Sequence, residues 1–238
     1  MPHTIPTEGY NRLLAALSRN DRHQFLASCT SVELVLGDIL AEPGEPINYV
    51  YFPTESFITL VTPAIDSRET LEVGLVGDEG MLGIALILGV EVSPLRALVQ
   101  GAGLALRMDT ASFRRELERS SVLQQELKCY LYVVLGQIAQ TAVCSHFHLV
   151  EARLARCLLM TQDRVHSDSF HITHEFLAFM LGVRRVGVTK AASSLQQRKL
   201  IRYSRGNITI LDRSKLETAS CGCYATDIAY YDRIMGSC

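Results

Sequence analysis

The stretch "LAFMLGVRRVGVTKAASSLQQRKLI" (Leu177–Ile201) contains two short amphipathic segments separated by Gly182. Apolar residues recur at helical spacing in the first segment, and Thr173 ahead of it is a residue type that caps helices. Gly182 stands where a helix C-terminus commonly needs a positive φ. The second segment predicts another helix, with Val188 and Leu195 on its buried side. A short helix, a glycine turn and a second helix together predict a helix-turn-helix.

Basic and hydroxyl-bearing side chains occupy the other face of this second helix. They are Arg184, Arg185, Thr189, Lys190, Ser193 and Gln197. Such side chains reach phosphates and the acceptor edges of bases in a major groove. Small residues such as Gly187 and Ala191 keep the helix narrow enough to enter a groove. The alternative is a solvated basic face on a structural helix bundle.

The segment that follows, "LIRYSRGNITILD", alternates apolar residues about Arg205, Gly206 and Asn207, which predicts a β-hairpin. Its arginines, Arg202 and Arg205, would contact phosphates as a wing. From Glu151 to Lys215 the chain has twelve Lys/Arg and five Asp/Glu, a net charge of +7. The rest of the chain has eleven Lys/Arg and twenty Asp/Glu, a net of −9, in agreement with the total of −2. This asymmetry predicts two domains, of which the basic one faces a polyanion.

The N-terminal half has a different pattern. "VELVLGDILAEPGEPINYVYFPTESFITLVTP" (32–63) contains brief β-branched and aromatic runs separated by Gly and Pro, which predicts an antiparallel barrel or sandwich. At Asp109 a capping residue opens a short amphipathic helix. A second amphipathic helix is predicted from His148 to Val165.

A proline-free segment between these two helices, Ser121–Ser145, predicts a long helix. Five of its residues are spaced by 4, 3, 4 and 3, the spacing of a coiled-coil seam: Leu127, Leu131, Val134, Ile138 and Thr141. They predict either a dimer seam or a helix packed on its own barrel.

These segments together resemble the Crp/Fnr superfamily of bacterial transcription regulators. "ITHEFLAFMLGVRRVGVTKAASSLQQRKLIRYSRGNITILD" is similar to the winged helix-turn-helix of that family. "GDILAEPGEPINYVYFPTESFITLV" is similar to its cyclic-nucleotide-binding-like β-barrel, and "VEARLARCLLM" to the helix that joins the two halves. The resemblance covers about residues 12 to 216 and implies an α+β fold. Its parts would be an N-terminal antiparallel β-roll or jelly-roll barrel (1–119), a long dimerisation helix (120–146), a winged helix-turn-helix (147–216) and a tail of unknown role (217–238).

The resemblance implies a cytoplasmic transcription regulator that binds a palindromic DNA site as a homodimer. The implied partners are double-stranded DNA, a second copy of the chain, RNA polymerase and an unidentified small-molecule effector, without a membrane. Arg185 matches the base-reading arginine of the family and Lys190 a later basic contact. Val186 stands where many relatives carry a base-reading glutamate, so the target sequence is expected to differ. The predicted DNA-binding set is Thr173, Arg184, Arg185, Val186, Thr189, Lys190, Ser193, Arg202 and Arg205.

Two other classes of function are weighed against this one. A ligand-binding regulatory module without a DNA role is the first alternative, since the barrel alone motivates it. An enzyme is not expected, because no catalytic triad, phosphate loop or metal quartet is found in a fitting context.

The effector candidates lie in the barrel and the long helix. In cyclic-nucleotide binders of the family, a Gly-Glu pair contacts the ribose and a following arginine pairs with the phosphate. Here Glu79 and Arg96 are widely separated, and Asp78 follows Gly77 where the glutamate is expected. With Thr141 of the long helix they form the effector-binding set, but we expect the barrel to bind another small molecule or none.

Cysteine and histidine positions predict neither a metal nor a cofactor. The seven cysteines are an odd, scattered set without a secretion signal, which predicts reduced thiols. Cys221 and Cys223 lack a matching second pair, and the histidines are interpreted as surface or capping residues. Cys29 is alone in the first hundred residues, so an iron–sulfur cluster ahead of the barrel is not expected. The longest apolar stretch, Met81–Val90, is about half the roughly 20 residues that span a membrane.

Overall fold

The computed structural model describes residues 11–63 and 70–238. Its N-terminal half is mainly strand. The elements are α1 (Arg12–Ala15), α2 (Arg19–Ala27), β1 (Thr30–Leu34), β2 (Ile39–Ala41), β3 (Tyr49–Pro53), β4 (Phe57–Pro63), β5 (Thr70–Val76), a 3-10 helix (Ile84–Leu88), β6 (Arg96–Gly101) and β7 (Gly103–Asp109). The C-terminal half is mainly helix: α3 (Thr110–Arg119), α4 (Ser121–Phe147), α5 (Val150–Val165), β8 (Ser169–His171), α6 (His174–Leu181), α7 (Arg185–Gln197), β9 (Ile201–Ser204), β10 (Asn207–Ile210), α8 (Arg213–Ala219) and α9 (Cys223–Met235). The change of pattern predicted at Asp109 is confirmed.

The chain divides into two units by its internal contacts. The first comprises residues up to 60, 75–132 and Cys238, and the second comprises 61–74 and 133–237. The strands of the N-terminal half form two sheets, with the orders β1-β7-β3 and β2-β6-β4-β5. Because β1 and β3 both run antiparallel to β7, and β2 runs antiparallel to β6, the prediction of N-terminal antiparallel sheets is confirmed.

The first unit is built on buried apolar side chains of its strands. Ile58, Ala97 and Val99 are fully or almost fully buried in its core. Gly37 and Gly44 have φ of 90° and 81° at the turns that the sequence predicts, where a residue with a side chain would be strained. Asp109 caps α3 as expected, since its carboxylate accepts a 2.9 Å hydrogen bond from the amide of Ser112.

The second unit has its own core, made by α5, α6, α7 and the sheet β8-β10-β9. Leu154 and Leu158 of α5 pack with Val188 and Leu195 of α7, and all four are inaccessible to solvent. The predicted helices and hairpin are therefore confirmed. Strand β8 was not predicted, because three residues are too few to show a period of two.

The residues of the long helix α4 differ in how far they are buried, which the sequence alone did not predict. Leu127, predicted to lie either on a dimer seam or against its own barrel, is fully buried within its own chain, whereas Leu135 is 57% exposed. By length and composition, α4 is also apolar enough to cross a membrane. The helix is this apolar because Glu126, Lys128 and one histidine are its only acidic or basic residues.

The tail of unknown role (217–238) begins within α8 and contains the whole of α9. Tyr230 of α9 packs against α4 at Gly136, where an added Cβ would lie 2.4 Å from the ring. Cys129 of α4 and Cys238 form a disulfide, so the expectation that every thiol is reduced is wrong. Their Cα atoms are 6.6 Å apart, within the range that a disulfide spans, although 109 positions separate them in the sequence.

Candidate nucleic-acid interface

The helix pair α6–α7 is joined by a tightly hydrogen-bonded turn. Thr173 caps α6, with its Oγ1 accepting a 3.1 Å hydrogen bond from the amide of Phe176. Gly182 ends the helix at φ 59°, and the amide of Val183 donates to the carbonyl of Ala178 at 3.0 Å. Helix α7 then begins at Arg185, with Arg184 in its capping position. The cap and the glycine turn were both predicted, since each depends on local sequence alone.

Helix α7 buries one face and exposes the other. Its buried residues are Val188, Ala191, Ala192 and Leu195. All nine residues of the predicted DNA-binding set are exposed: Thr173, Arg184, Arg185, Val186, Thr189, Lys190, Ser193, Arg202 and Arg205. The structure thus brings this set to the surface of α7, its preceding cap and the adjacent hairpin.

A histidine outside the predicted DNA-binding set supports the start of α7. His174 Nδ1 lies 3.2 Å from Thr189 Oγ1, which donates to the carbonyl of Arg185 at 3.1 Å. The ring of His174 stacks on Tyr203 of β9, with the centroids 3.9 Å apart. Partial burial, and next the charge of Arg185, lower the pKa of His174 below its usual 6.5. His174 therefore favours its neutral form, which adds no charge beside Arg185.

The hairpin is held to α7 and has a turn that requires glycine. Arg205 and Gly206 both have positive φ, 51° and 86°, as the two central residues of a type I′ turn do. A Cβ at Gly206 would lie 2.5 Å from the ring of His171, so the turn has no room for a side chain. The side-chain carbonyl of Gln196 accepts a 2.7 Å hydrogen bond from the amide of Tyr203, which ties α7 to the hairpin.

The twelve basic residues from Glu151 to Lys215 fall into two equal groups. Six have partners inside the second unit: Arg153 (carbonyl of Leu181), Arg156 (Asp227), Arg164 (carbonyl of Met160), Arg198 (Glu151), Arg213 (Asp163) and Lys215 (Asp212). Within the described part of the chain, no ion pair or side-chain hydrogen bond holds the other six: Arg184, Arg185, Lys190, Lys199, Arg202 and Arg205. This second group lies entirely on α7, the hairpin and their immediate flanks, so the uncompensated positive charge is concentrated there.

The predicted effector residues are engaged within the protein. Glu79 is buried, and its Oε1 accepts a hydrogen bond from the amide of Gly77 at 3.3 Å. Arg96 pairs with Glu42 at 2.8 Å. Thr141 belongs to the second unit, where Arg156 donates to its hydroxyl at 3.4 Å.

The predicted dimerisation residues are not equally exposed. Leu127 is buried, while Leu131, Val134, Ile138 and Thr141 are half-buried. In the second unit, the apolar side chains of α4 that face solvent are instead Leu135, Ala139, Ala142, Val143 and Phe147.

A cluster of four metal-ligand side chains lies outside the α6–α7 surface. The ligand atoms of Cys144, His148, Cys221 and Cys223 all lie within 4.8 Å of one another. The interpretation that Cys221 and Cys223 lack a second pair is therefore wrong. The sequence did contain a signal for it, since Cys144 and His148 are four residues apart at the end of a predicted helix, where one helical turn brings their side chains to the same side.

Comparison with known proteins agrees with this geometry. Residues 152–219 match the model of the Crp-like helix-turn-helix domain. No curated protein sequence matches the chain. Among solved structures, FixK2 from Bradyrhizobium japonicum is similar with a TM-score of 0.69 at 14% identity, over 81% of this chain and 98% of that one.

Two further structures are similar at comparable levels. A transcriptional regulator of the Crp/Fnr family from Eubacterium rectale has a TM-score of 0.67 at 17% identity, over 87% of this chain and 96% of that one. The c-di-GMP-responsive global regulator CLP from Xanthomonas campestris has a TM-score of 0.65 at 14% identity, over 81% of this chain and 99% of its own. Residues 152–219 are thus a Crp-like helix-turn-helix domain, in a chain that has the fold of the Crp/Fnr transcription regulators.

Proposed function

We propose that the protein is a sequence-specific, DNA-binding transcription regulator that acts as a homodimer on a palindromic site. The observation that carries this proposal is the concentration of unpaired cations on α7 and the hairpin. A cation with an internal partner is already compensated, whereas these six remain available to phosphates. Each phosphate that they neutralise would release condensed counterions, which drives binding to duplex DNA.

The exposed residues of α7 would make different contacts with DNA, depending on their positions along the helix. Arg185 lies in the first turn, where a recognition helix reaches the edges of bases, and its guanidinium matches guanine O6 and N7. Val186 is 59% exposed and offers an apolar contact to a thymine methyl group. Lys190 lies one helical turn after Val186, on the same face. Arg202 and Arg205 of the hairpin are suited to backbone phosphates.

A second copy of the chain is the occupant that we assign to the exposed face of α4. Leu135 and Phe147 are 57% and 72% exposed, and Ala139 and Val143 lie between them on the same side. A stripe of this length on a soluble protein marks an interaction surface. Pairing through the same stripe on both copies gives a two-fold axis, and a two-fold dimer places two α7 helices on a symmetric site. This use of α4 accounts for its apolar character without a membrane, and we place the protein in the cytoplasm.

Two of the predicted effector residues already have partners inside the protein. A cyclic phosphate would have to compete with Glu42 for Arg96, and a ribose with the amide of Gly77 for Glu79. We therefore propose a small-molecule effector other than a cyclic nucleotide, and RNA polymerase as the protein partner at a promoter. No catalytic activity is proposed.

The test is selection of bound duplexes from random DNA by the purified full-length protein. We expect enrichment of a two-fold symmetric sequence. Arg185→Ala should weaken binding to that sequence by about 1–3 kcal/mol and relax preference at one position in each half-site. Lys215→Ala is the charge-matched control, because Lys215 pairs with Asp212 away from α7.

Two results would contradict the proposal. One is the absence of any enriched sequence, which would favour a ligand-binding module without a DNA role. The other is unchanged affinity in both Arg185→Ala and Lys190→Ala, which would remove α7 from the interface.

A further inference from the structure

The four-residue cluster at the end of α4 has the composition of a metal site. Cys144 lies in the last turn of α4 and His148 directly follows that helix, while Cys221 and Cys223 lie at the junction of α8 and α9. All four belong to the second unit. Three thiols and one imidazole are a ligand set that tetrahedral zinc sites commonly use.

The distances within the cluster match the edges of a coordination tetrahedron. Cys144 Sγ and Cys221 Sγ are 3.5 Å apart, and Cys223 Sγ lies 3.4 Å from His148 Nδ1. Zinc–sulfur bonds of about 2.3 Å and zinc–nitrogen bonds of about 2.0 Å give tetrahedral edges of roughly 3.5–3.8 Å. A disulfide would instead bring two sulfur atoms to about 2.05 Å. These two separations are therefore close to those of ligands around one ion, and the other ligand atoms lie within 4.8 Å of one another.

The local sequence explains how each half of the cluster forms. Cys144 and His148 are one helical turn apart, so their side chains point to the same side. Gly222 separates the other two cysteines at the junction of α8 and α9. The two halves come from segments more than seventy residues apart. Only the fold of the second unit brings them together.

The surroundings of the cluster suit a bound cation held by thiolates. Cys144, Cys221 and Cys223 are 2%, 7% and 3% exposed, so the three thiols are shielded from solvent, and His148 is half-buried. Gln140 Nε2 donates to Cys223 Sγ at 2.9 Å. Arg156 lies close enough to Cys144 for their charges to interact, and it pairs with Asp227 at 2.6 Å. Such second contacts orient the ligands of metal sites.

We propose that Cys144, His148, Cys221 and Cys223 bind one Zn²⁺ ion in a closed structural site. Four protein ligands leave no open position for water or substrate, which separates a structural zinc from a catalytic one. A polynuclear iron–sulfur cluster does not fit, because ligand atoms within 4.8 Å of one another leave no space for several irons and their sulfides.

The position of the site suggests what it stabilises. Its ligands lie just before and just after residues 152–219, the segment that matches the Crp-like helix-turn-helix domain. The ion would therefore join the end of α4 to the α8–α9 junction and close the domain at both ends. This inference does not rest on DNA binding, since it concerns neither α7 nor the hairpin.

The first experiment measures the metal content of the full-length protein, purified under reducing conditions without added metal. We expect about one zinc per chain by elemental analysis. Cys221→Ser and Cys223→Ser should each lower this content strongly. Cys29→Ser is the matched control, because Cys29 lies in the first unit, and it should retain the ion.

The second experiment does not depend on variants that fold poorly. Wild-type protein is stripped by chelation and titrated with Co²⁺. We expect saturation at one ion per chain, with the intense visible bands of tetrahedral cobalt and a thiolate-to-cobalt charge-transfer band, all lost when Zn²⁺ is added. Absence of stoichiometric metal together with absence of these bands would overturn the proposal. So would iron as the bound metal, or full zinc content in the Cys221→Ser/Cys223→Ser double variant.

Discussion

Arg156 of α5 and Asp227 of α9 form a buried ion pair, with Nη2 and Oδ2 2.6 Å apart and side chains 9% and 11% exposed. The pair fixes the tail to the core of the second unit. Since a buried charge without its partner pays most of its desolvation cost, Asp227→Ala should lower the free energy of unfolding by about 3–5 kcal/mol. Chemical denaturation followed by circular dichroism measures this change.

The exposed pair Arg198–Glu151 is the control for that prediction. Its atoms are 2.8 Å apart, but the two side chains are 48% and 33% exposed. Glu151→Ala should therefore cost about 1 kcal/mol or less. Equal losses in Asp227→Ala and Glu151→Ala would show that burial does not set the strength of the first pair.

The substitution Gly136→Ala should change stability in opposite directions with and without the Tyr230 ring. Replacing a helical glycine by alanine normally stabilises a helix by about 1 kcal/mol. At Gly136 the new Cβ would lie 2.4 Å from the Tyr230 ring, so the ring or α9 must shift. Gly136→Ala should therefore lower the melting temperature of the wild-type protein. In a Tyr230→Ala background the same change should raise it, and a decrease in both backgrounds would contradict the close packing.

Local features of the helix pair could be predicted from the sequence because the residues that determine them lie close together. Thr173 caps the helix that it precedes, and Gly182 takes the positive φ of the turn that follows. Both consequences depend on a few neighbouring residues, as does the alternation that predicts the hairpin. The exposed surface of α7 followed directly from its helical period.

Long-range features could not be predicted in the same way. Leu127 and Leu135 are both apolar residues of α4. The helical period does not show which of them is buried within the chain and which faces solvent. In the sequence, Gly136 indicates only a position that weakens the helix. Its contact with the Tyr230 ring depends on how α9 packs against α4. The proximity of Cys144 to Cys221 depends on the packing of α4 against the α8–α9 junction, which no local pattern reports.

The exposed face of α4 predicts the oligomeric state. Leu135→Glu places a charge on the proposed two-fold interface, where it would be desolvated beside its own copy. We expect the variant to sediment as a monomer at concentrations where the wild type is a dimer. Lys128→Glu is a control with a charge change on an exposed position of the same helix. An unchanged dimer in Leu135→Glu would place the interface elsewhere.

His174 predicts a dependence of stability on pH near the α7 surface. Its pKa in the folded protein is lowered, first by burial and then by Arg185, whereas in the unfolded chain it is near 6.5. Between the lowered value and 6.5 the unfolded chain therefore binds more protons, so the free energy of unfolding decreases as the pH falls through this range. Above about pH 6.5 both states are neutral at His174, and its contribution is constant.

The measurement is urea denaturation of the DNA-free protein at several values between pH 5 and pH 7.5. His174→Gln keeps a hydrogen-bonding side chain beside Thr189 but cannot titrate, so the fall in stability toward low pH should be smaller in the variant. His171→Gln is the control, since His171 is an exposed histidine of the neighbouring strand β8. Equal slopes in wild type and His174→Gln would mean that burial and Arg185 do not disfavour the charged imidazole at this position.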